Sequence, residues 1–199
     1  MTWARRYRQL AALGLVACVV ACSSPNPTLY TIASVPGAER VAGRNTGPKV
    51  VVLRQVGLAH YLEREQIVRS SENYKLDVMA NDWWGEPLAA MLGRVLVEEL
   101  RQRLPQTVVI SESGAVSATP DATIAVDVQR LDKDAAGGLV LQAQASVSKK
   151  RGEPVLRSFR ITVPSPMPDV SGHVAAISTA VGQLADGLAA MTLAGSTGR

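Results

Sequence analysis

The 199-residue chain holds two cysteines, two histidines and one phenylalanine, and aromatic residues make up only 4% of it. Each scarcity closes a route to function. Both cysteines, Cys18 and Cys22, lie in the first 22 residues, so no cysteine framework staples the body and packing must hold it together. The histidines, His60 and His173, are far apart, and neither sits in a metal-ligand spacing such as HExxH. A GxSxG elbow, a Walker phosphate loop and a glycine-rich strand-to-helix turn are all missing. So is any dense Lys/Arg cluster with interleaved aromatics, which argues against nucleic acid as a partner.

What is present begins with a leader. Arg5, Arg6 and Arg8 precede an uncharged run over residues 10–21. That run is shorter than the roughly 20 residues a stable transmembrane helix needs, and it suits a cleaved export signal. It ends in Val19-Val20-Ala21-Cys22, and Leu15-Val16-Ala17-Cys18 repeats the pattern four residues earlier. Both resemble a lipobox, in which small residues precede the cut and a cysteine thiol takes up the lipid. Cys22 is the preferred residue. Using Cys18 would shorten the apolar run and leave Val19 and Val20 at the new terminus. Ser23, Ser24, Pro25, Asn26 and Pro27 then read as a polar, extended tether. Removing the leader takes three arginines and no acid, which leaves 18 basic against 17 acidic residues, a net of +1 against the formal +4 of the whole chain. The basic character therefore belongs partly to the leader.

The expected organisation is a signal peptide over residues 1–21, a lipidated terminus and tether with one short strand over 22–47, and one globular domain over 48–195. Residues 28–32 read as the short strand. Residues 49–58 read as a strand whose Val50, Val51, Val52 and Leu53 are covered on both faces. Residues 66–69 and 73–79 read as two more. A helix is predicted to start between 82 and 86, capped by Asn81 or Asp82. Its stripe is Leu88, Met91, Leu92, Val95, Leu96, Leu100 and Leu104, with Arg94, Glu98, Arg101 and Gln102 away from it, and Pro105 ends it. Strands over 107–110, 122–131, 139–147 and 155–161 follow, the last three joined by short turns as an antiparallel meander. Asp169 or Ser171 caps a final helix with the stripe Val174, Ile177, Val181, Leu184, Leu188 and Met191. The fold class is α/β, with α+β as the alternative: one mixed sheet packed by two long amphipathic helices.

An enzyme is not indicated, and no cofactor is implied. His60 reads as a surface loop residue and His173 as a solvated first-turn residue. Glu63 and Glu65 alternate with Arg64 as solvated ion pairs, and Glu98 and Glu99 cannot face each other on a helix. The small-residue face of the last helix, through Ala180, Gly182, Ala185, Gly187, Ala189 and Ala190, fits close packing on its own sheet, with self-association as the other use. Two stretches stand out: residues 60–68, and Trp83-Trp84-Gly85-Glu86-Pro87-Leu88. Two adjacent tryptophans at the head of a helix point about 100° apart, so one can anchor in the core and the other at a surface; the alternative is that both pack as core at the sheet edge.

Taken in order, these stretches resemble the PqiC-type auxiliary lipoproteins of ABC transport systems. The family pattern runs Y-L-D-R-P-Q-I-V, then N-x-L, then R-W-A-E-P-L before a long helix. Tyr61, Leu62, Arg64, Gln66, Ile67 and Val68 match the first element, with Glu63 for Asp and Glu65 for Pro. Asn73 and Leu76 sit near the second with one extra residue between them. Trp84, Glu86, Pro87 and Leu88 match the third, with Trp83 for Arg and Gly85 for Ala. The resemblance implies a non-catalytic lipoprotein subunit of an intermembrane lipid transport system. Its implied partners are a periplasmic MCE-domain protein and the membrane, reached through N-terminal acyl chains, with homo-oligomers possible. Ser23 after the lipidated cysteine implies the outer membrane, facing the periplasm, rather than the inner one. Tyr61, Leu62, Arg64, Gln66, Trp83, Trp84, Glu86 and Pro87 are the expected partner-binding residues. A periplasmic lipid carrier and an activator of a peptidoglycan synthase are the alternative functions.

Overall fold

The computed structural model describes residues 26–37 and 47–194. The leader, Cys18 and Cys22 lie outside the described residues. The domain is one nine-stranded mixed sheet with two helices. Its strands are β1 Thr28–Tyr30, β2 Val50–Leu53, β3 Gly57–Leu58, β4 Gln66–Ser70, β5 Asp77–Trp84, β6 Val108–Ser111, β7 Ala122–Lys133, β8 Leu139–Lys149 and β9 Val155–Val163. The helices are α1 Leu88–Arg103 and α2 Val170–Leu193.

β7 organises the sheet. One of its edges pairs antiparallel with β8, and β9 continues that meander. Along its other edge β2, β3 and β4 dock in turn, all parallel. The sheet therefore forks. β6 extends the β2 wing, while β5 and then β1 extend the β4 wing. α1 links the wings and packs on β6 and α2; α2 packs on β7, β8 and β9. Ile124, Val126, Val128, Leu141 and Val147 face the core, whereas Asp127, Gln129 and Gln144 are exposed. Burying each such leucine or isoleucine contributes about 2 kcal/mol.

The meander and both helical stripes stand as expected. Three of the expected elements differ more than by a residue or two at an end: the strand over 49–58, the strand over 73–79 and the start of the first helix. The strand expected over 49–58 breaks at residues 54–56 and re-pairs with β7 as β3, and within β2 Val51 and Leu53 are buried while Val50 and Val52 are only half-buried. The strand expected over 73–79 runs instead from Asp77 to Trp84, because Asn73 (φ 56) and Tyr74 (φ 61) form a tight turn closed by Lys75 N–H to Glu72 O at 3.1 Å. Two successive positive φ values are the type I′ pattern, which favours Asn and Gly; a tyrosine there costs about 1–2 kcal/mol. Asn81 and Asp82 accordingly belong to a strand, not a cap, and α1 starts after Pro87. At α2 the expected cap holds: Asp169 Oδ1 accepts from Gly172 N–H at 2.8 Å.

α2 is apolar and long enough to cross a bilayer by length and composition, but most of it is buried on the sheet. Its small-residue face serves that approach. A Cβ on Gly187 would sit 2.3 Å from the Phe159 ring of β9, and one on Gly182 would sit 2.3 Å from Val35.

Val35 belongs to a strap, residues 31–37, that leaves β1 and crosses between the helices. Ile32 N–H points to Met91 Sδ at 3.1 Å, Ala33 N–H donates to Ser178 Oγ at 3.2 Å, and Val35 N–H donates to Glu99 Oε1 at 2.6 Å. Glu99 and Arg103, one turn apart on α1, are a fully buried ion pair. Arg103 also donates to Asp186 Oδ1 at 2.7 Å and to Gly182 O at 3.0 Å. Buried charges survive only when every lone pair and proton is used, and here the strap supplies one of the needed donors.

His173 departs from expectation. It is fully buried, not solvated: Nε2 donates to Val68 O at 3.3 Å and Nδ1 has no partner among the described residues. It falls on the same stripe as Val174 and Ile177, which carries it inward. Burial first, then the Lys133 charge, push it down to about 4.

Two outcomes follow. Arg103→Met strands the Glu99 carboxylate and is expected to lower urea-unfolding stability by about 3–5 kcal/mol, with Glu99→Gln added to it restoring much of the loss; equal stability of wild type and the single variant would remove the clamp from the account. Because His173 binds its proton less readily folded than unfolded, its contribution is complete above pH 6.5 and is lost as pH falls toward 4, about 3 kcal/mol in all. Urea midpoints measured from pH 7 to 5 should fall for wild type and hold flatter for His173→Gln.

Candidate functional site

The two conspicuous sequence stretches meet at one corner. Residues 61–68 pass from a 3-10 turn, His60–Leu62, into β4, while 83–88 pass from β5 into α1. β4 and β5 pair with Gln66 opposite Trp83, and Trp84 N–H donates to Glu65 O at 2.7 Å. β1 closes the other side: Leu29 lies opposite Trp83 and Tyr30 opposite Trp84, and Gly85 N–H donates to Tyr30 O at 2.8 Å.

Strand alternation, rather than helical spacing, separates the tryptophans. Trp84 is buried in the core, and Trp83 is half-buried with its indole N–H on Ala80 O at 3.0 Å. Leu62 is also core. Tyr61, Arg64, Gln66 and Glu86 are half-buried and Pro87 is exposed. Arg64 Nε donates to Tyr61 O at 2.8 Å. Glu86 accepts from Arg94 at 2.5 Å, and Arg94 reaches Thr31 Oγ1 at 3.4 Å, so this pair bridges the head of α1 to the strap.

Beneath the corner is a polar knot that periodicity did not reveal. Asp132 is fully buried and accepts from Tyr61 Oη at 2.8 Å, Ser71 Oγ at 2.7 Å and Arg130 Nε at 2.8 Å. Arg130 also donates to Glu72 Oε1 at 2.5 Å and to Lys133 O at 3.1 Å. Hydrogen bonds to a charged group contribute about 1.5–3 kcal/mol each, so the knot fixes the 3-10 turn and the β4–β5 hairpin onto β7. Burial first, then the Asp132 carboxylate, raise the Tyr61 phenol above its ordinary range. The sequence pattern hides Asp132 because the expected strand ends at 131, whereas β7 runs on to Lys133. Past the register shift between Val128 and Arg130, Leu131 and Asp132 are both buried.

Glu99 was hidden differently. It sits three residues after Leu96 and four before Arg103, inside the apolar stripe, and that i,i+4 pairing within a stripe was the available signal. On the far side of α1 lies a groove of about 820 Å³, lined by Ala90, Gly93, Val97 and Val116 together with Arg54, Arg94, Glu98 and Arg101. Its outer wall is the aperiodic loop after β6.

Catalytic geometry is sparse. His60 is exposed and meets Glu63 at 2.9 Å, while Glu65 is exposed. Glu63 thus pairs with His60, not with Arg64. Among the described residues no group of three or more His, Cys, Asp or Glu is placed to share a metal.

Comparison with known proteins adds the family. No curated protein matches the sequence. Among solved structures, an uncharacterized protein shares 18% identity at a TM-score of 0.69, covering 83% of this chain and 98% of its own. Protein XCC0632 from Xanthomonas campestris, a DUF330 protein, shares 20% identity at a TM-score of 0.67, covering 83% and 94%. Identities this low speak for a common fold. The decisive match is to a family, ABC-type transport auxiliary lipoprotein component, over residues 30–189. That span takes in the corner, the knot, the clamp and all of the strap, and the chain therefore belongs to the ABC-type transport auxiliary lipoprotein family.

Proposed function

We propose that this chain is the non-catalytic docking subunit of an MCE-type intermembrane lipid transport system. In this reading it is acylated at Cys22, anchored to the outer membrane and turned toward the periplasm, where it engages a periplasmic MCE-domain protein and supports envelope integrity. The single observation that carries the reading is the route of the N-terminal chain. The segment that follows the tether becomes β1 and the strap, and its amides are taken by Met91, Ser178 and the buried Glu99. An anchor welded into the core in this way suits a subunit that must hold a partner at a fixed distance from a membrane. Three acyl chains supply the lasting attachment, since more than one is generally needed.

The partner surface proposed is the corner of β4, β5 and the 3-10 turn. Trp83, Arg64, Gln66, Tyr61, Glu86 and Pro87 present its outer side, and Leu62 and Trp84 hold it from within. A half-buried tryptophan on a rigid strand is a common interface hot spot.

A second reading has one observation in its favour. The groove beside α1 is lined by small and apolar residues, with Arg54, Arg94 and Arg101 among them, which suits a carrier of one lipid acyl chain. Native mass spectrometry of the intact folded chain separates the two, since a carrier retains phospholipid and a docking subunit does not.

The docking reading is tested in two steps. Mass analysis of the first peptide of the processed protein should find Cys22 triacylated; unmodified residues at both Cys22 and Cys18 would refute the anchor. Capture of the MCE protein from solubilised membranes should then weaken about tenfold or more for Trp83→Ser with little change in unfolding midpoint. Undiminished capture would move the interface elsewhere.

A further inference from the structure

One end of the sheet collects every turn near which the N-terminal chain enters. β1 is parallel to β5, with Thr28 beside Asp82, so the chain before Thr28 arrives from the side where β5 begins. β5 begins at the β4–β5 hairpin tip, residues 71–76. Ser70 pairs with Lys133 and Leu139 with Val163, which brings the β7–β8 turn and the loop at 164–168 to this same end. Here stand Tyr74 and Met167, the first of them with its whole side chain in solvent. Lys75 beside it is exposed as well.

Tyr74 is an expensive residue in this position. Its left-handed backbone at φ 61 is one an aromatic side chain rarely adopts, and the exposed ring makes no packing contact in the fold to offset the strain. Strain that the fold does not need points to a use outside it. A tyrosine beside a lysine at a projecting tip suits the lipid–water boundary, where amphipathic rings and snorkelling ammonium groups settle.

Lengths decide the matter. Five residues lie between Cys22 and Thr28, so the six Cα steps reach at most about 22 Å fully extended. From the level of Asp82 back to Asp77 is about 17 Å along β5, and the hairpin tip projects beyond that. A bilayer holding the acylated terminus therefore meets the tip, and any bent path of the tether only brings it closer. Val155 and Leu156, the exposed apolar pair at the head of β9, pair with the far half of β8 and so lie at the opposite end of the sheet.

We propose that the end of the sheet bearing residues 71–76 is the bilayer-facing surface of the domain, with Tyr74 seated among phospholipid headgroups. The proposal rests on the reading that Cys22 is acylated. The processed protein then holds no free thiol, so one introduced cysteine can be labelled alone. Full-length lipidated protein carrying Tyr74→Cys, and separately Arg151→Cys at the turn about 36 Å away along β7, is labelled with a polarity-sensitive fluorophore. It is reconstituted on vesicles of phosphatidylethanolamine and phosphatidylglycerol. Both sites are exposed, so labelling leaves the fold intact. The expected result is a blue-shifted emission at position 74, quenched by headgroup-labelled lipid and shielded several-fold from aqueous iodide relative to position 151. Protein that floats with the vesicles while position 74 stays as open to iodide as position 151 overturns this inference alone. Protein that fails to float overturns the acylation reading and the inference with it.

Discussion

A carboxylate and a guanidinium, both out of reach of water, set the terms of this fold. Glu99 and Arg103 are buried side by side on α1, and neither is tolerable there unless every donor and acceptor around them is matched. The matching groups come from far apart in the chain: Val35 of the strap, Gly182 and Asp186 of α2. The pair therefore costs a fold that omits the strap more than it gives to one that includes it. Residues 31–37 are tied in twice, by Ile32, which is buried in the apolar core, and by the Val35 amide, which the buried Glu99 carboxylate requires.

That constraint bears on the function proposed above. The chain belongs to a family of auxiliary lipoproteins of ABC-type transport systems, and the docking subunit we propose needs a stiff link between anchor and partner, which a flexible leash would not supply. Here the chain passes from the tether into an edge strand, then into a strap whose amides are taken by side chains of both helices. The edge strand also forms one side of the corner that carries Trp83, and the knot around Asp132 fixes the other side to β7. Edge strand, strap and corner are thus one mechanical unit, and the stiffness comes from buried polar groups as much as from apolar packing.

The apolar part of this design was legible in the sequence. Helical stripes at spacings of three and four, and alternation along β7, β8 and β9, placed the two helices and the meander because burial of one face enforces those periods. The resemblance carried by residues 61–68 and 83–88 led to the family for the same reason that the structure pairs them: they are neighbours across β4 and β5. What escaped was polar and inward. His173 lies on an apolar stripe and reads as a surface residue because its type is usually solvated, and Glu99, judged only against Glu98, is not singled out as buried. Asp132 escapes because the expected strand stops at 131 while β7 runs on to Lys133, and the tryptophans read as helical because Pro87 marks a helix start without marking that a strand precedes it. In each case the local pattern was sound and a long-range partner decided the outcome.

The claim that the anchor-proximal segment is part of the core can be measured amide by amide. Hydrogen exchange on the intact protein should find the Ile32, Ala33 and Val35 amides protected to the level of the slowest amides of β7 and α1, exchanging only on global unfolding. Exchange of those three amides at the rate of an open loop, with β7 still protected, would show the strap to be a leash and would contradict the account.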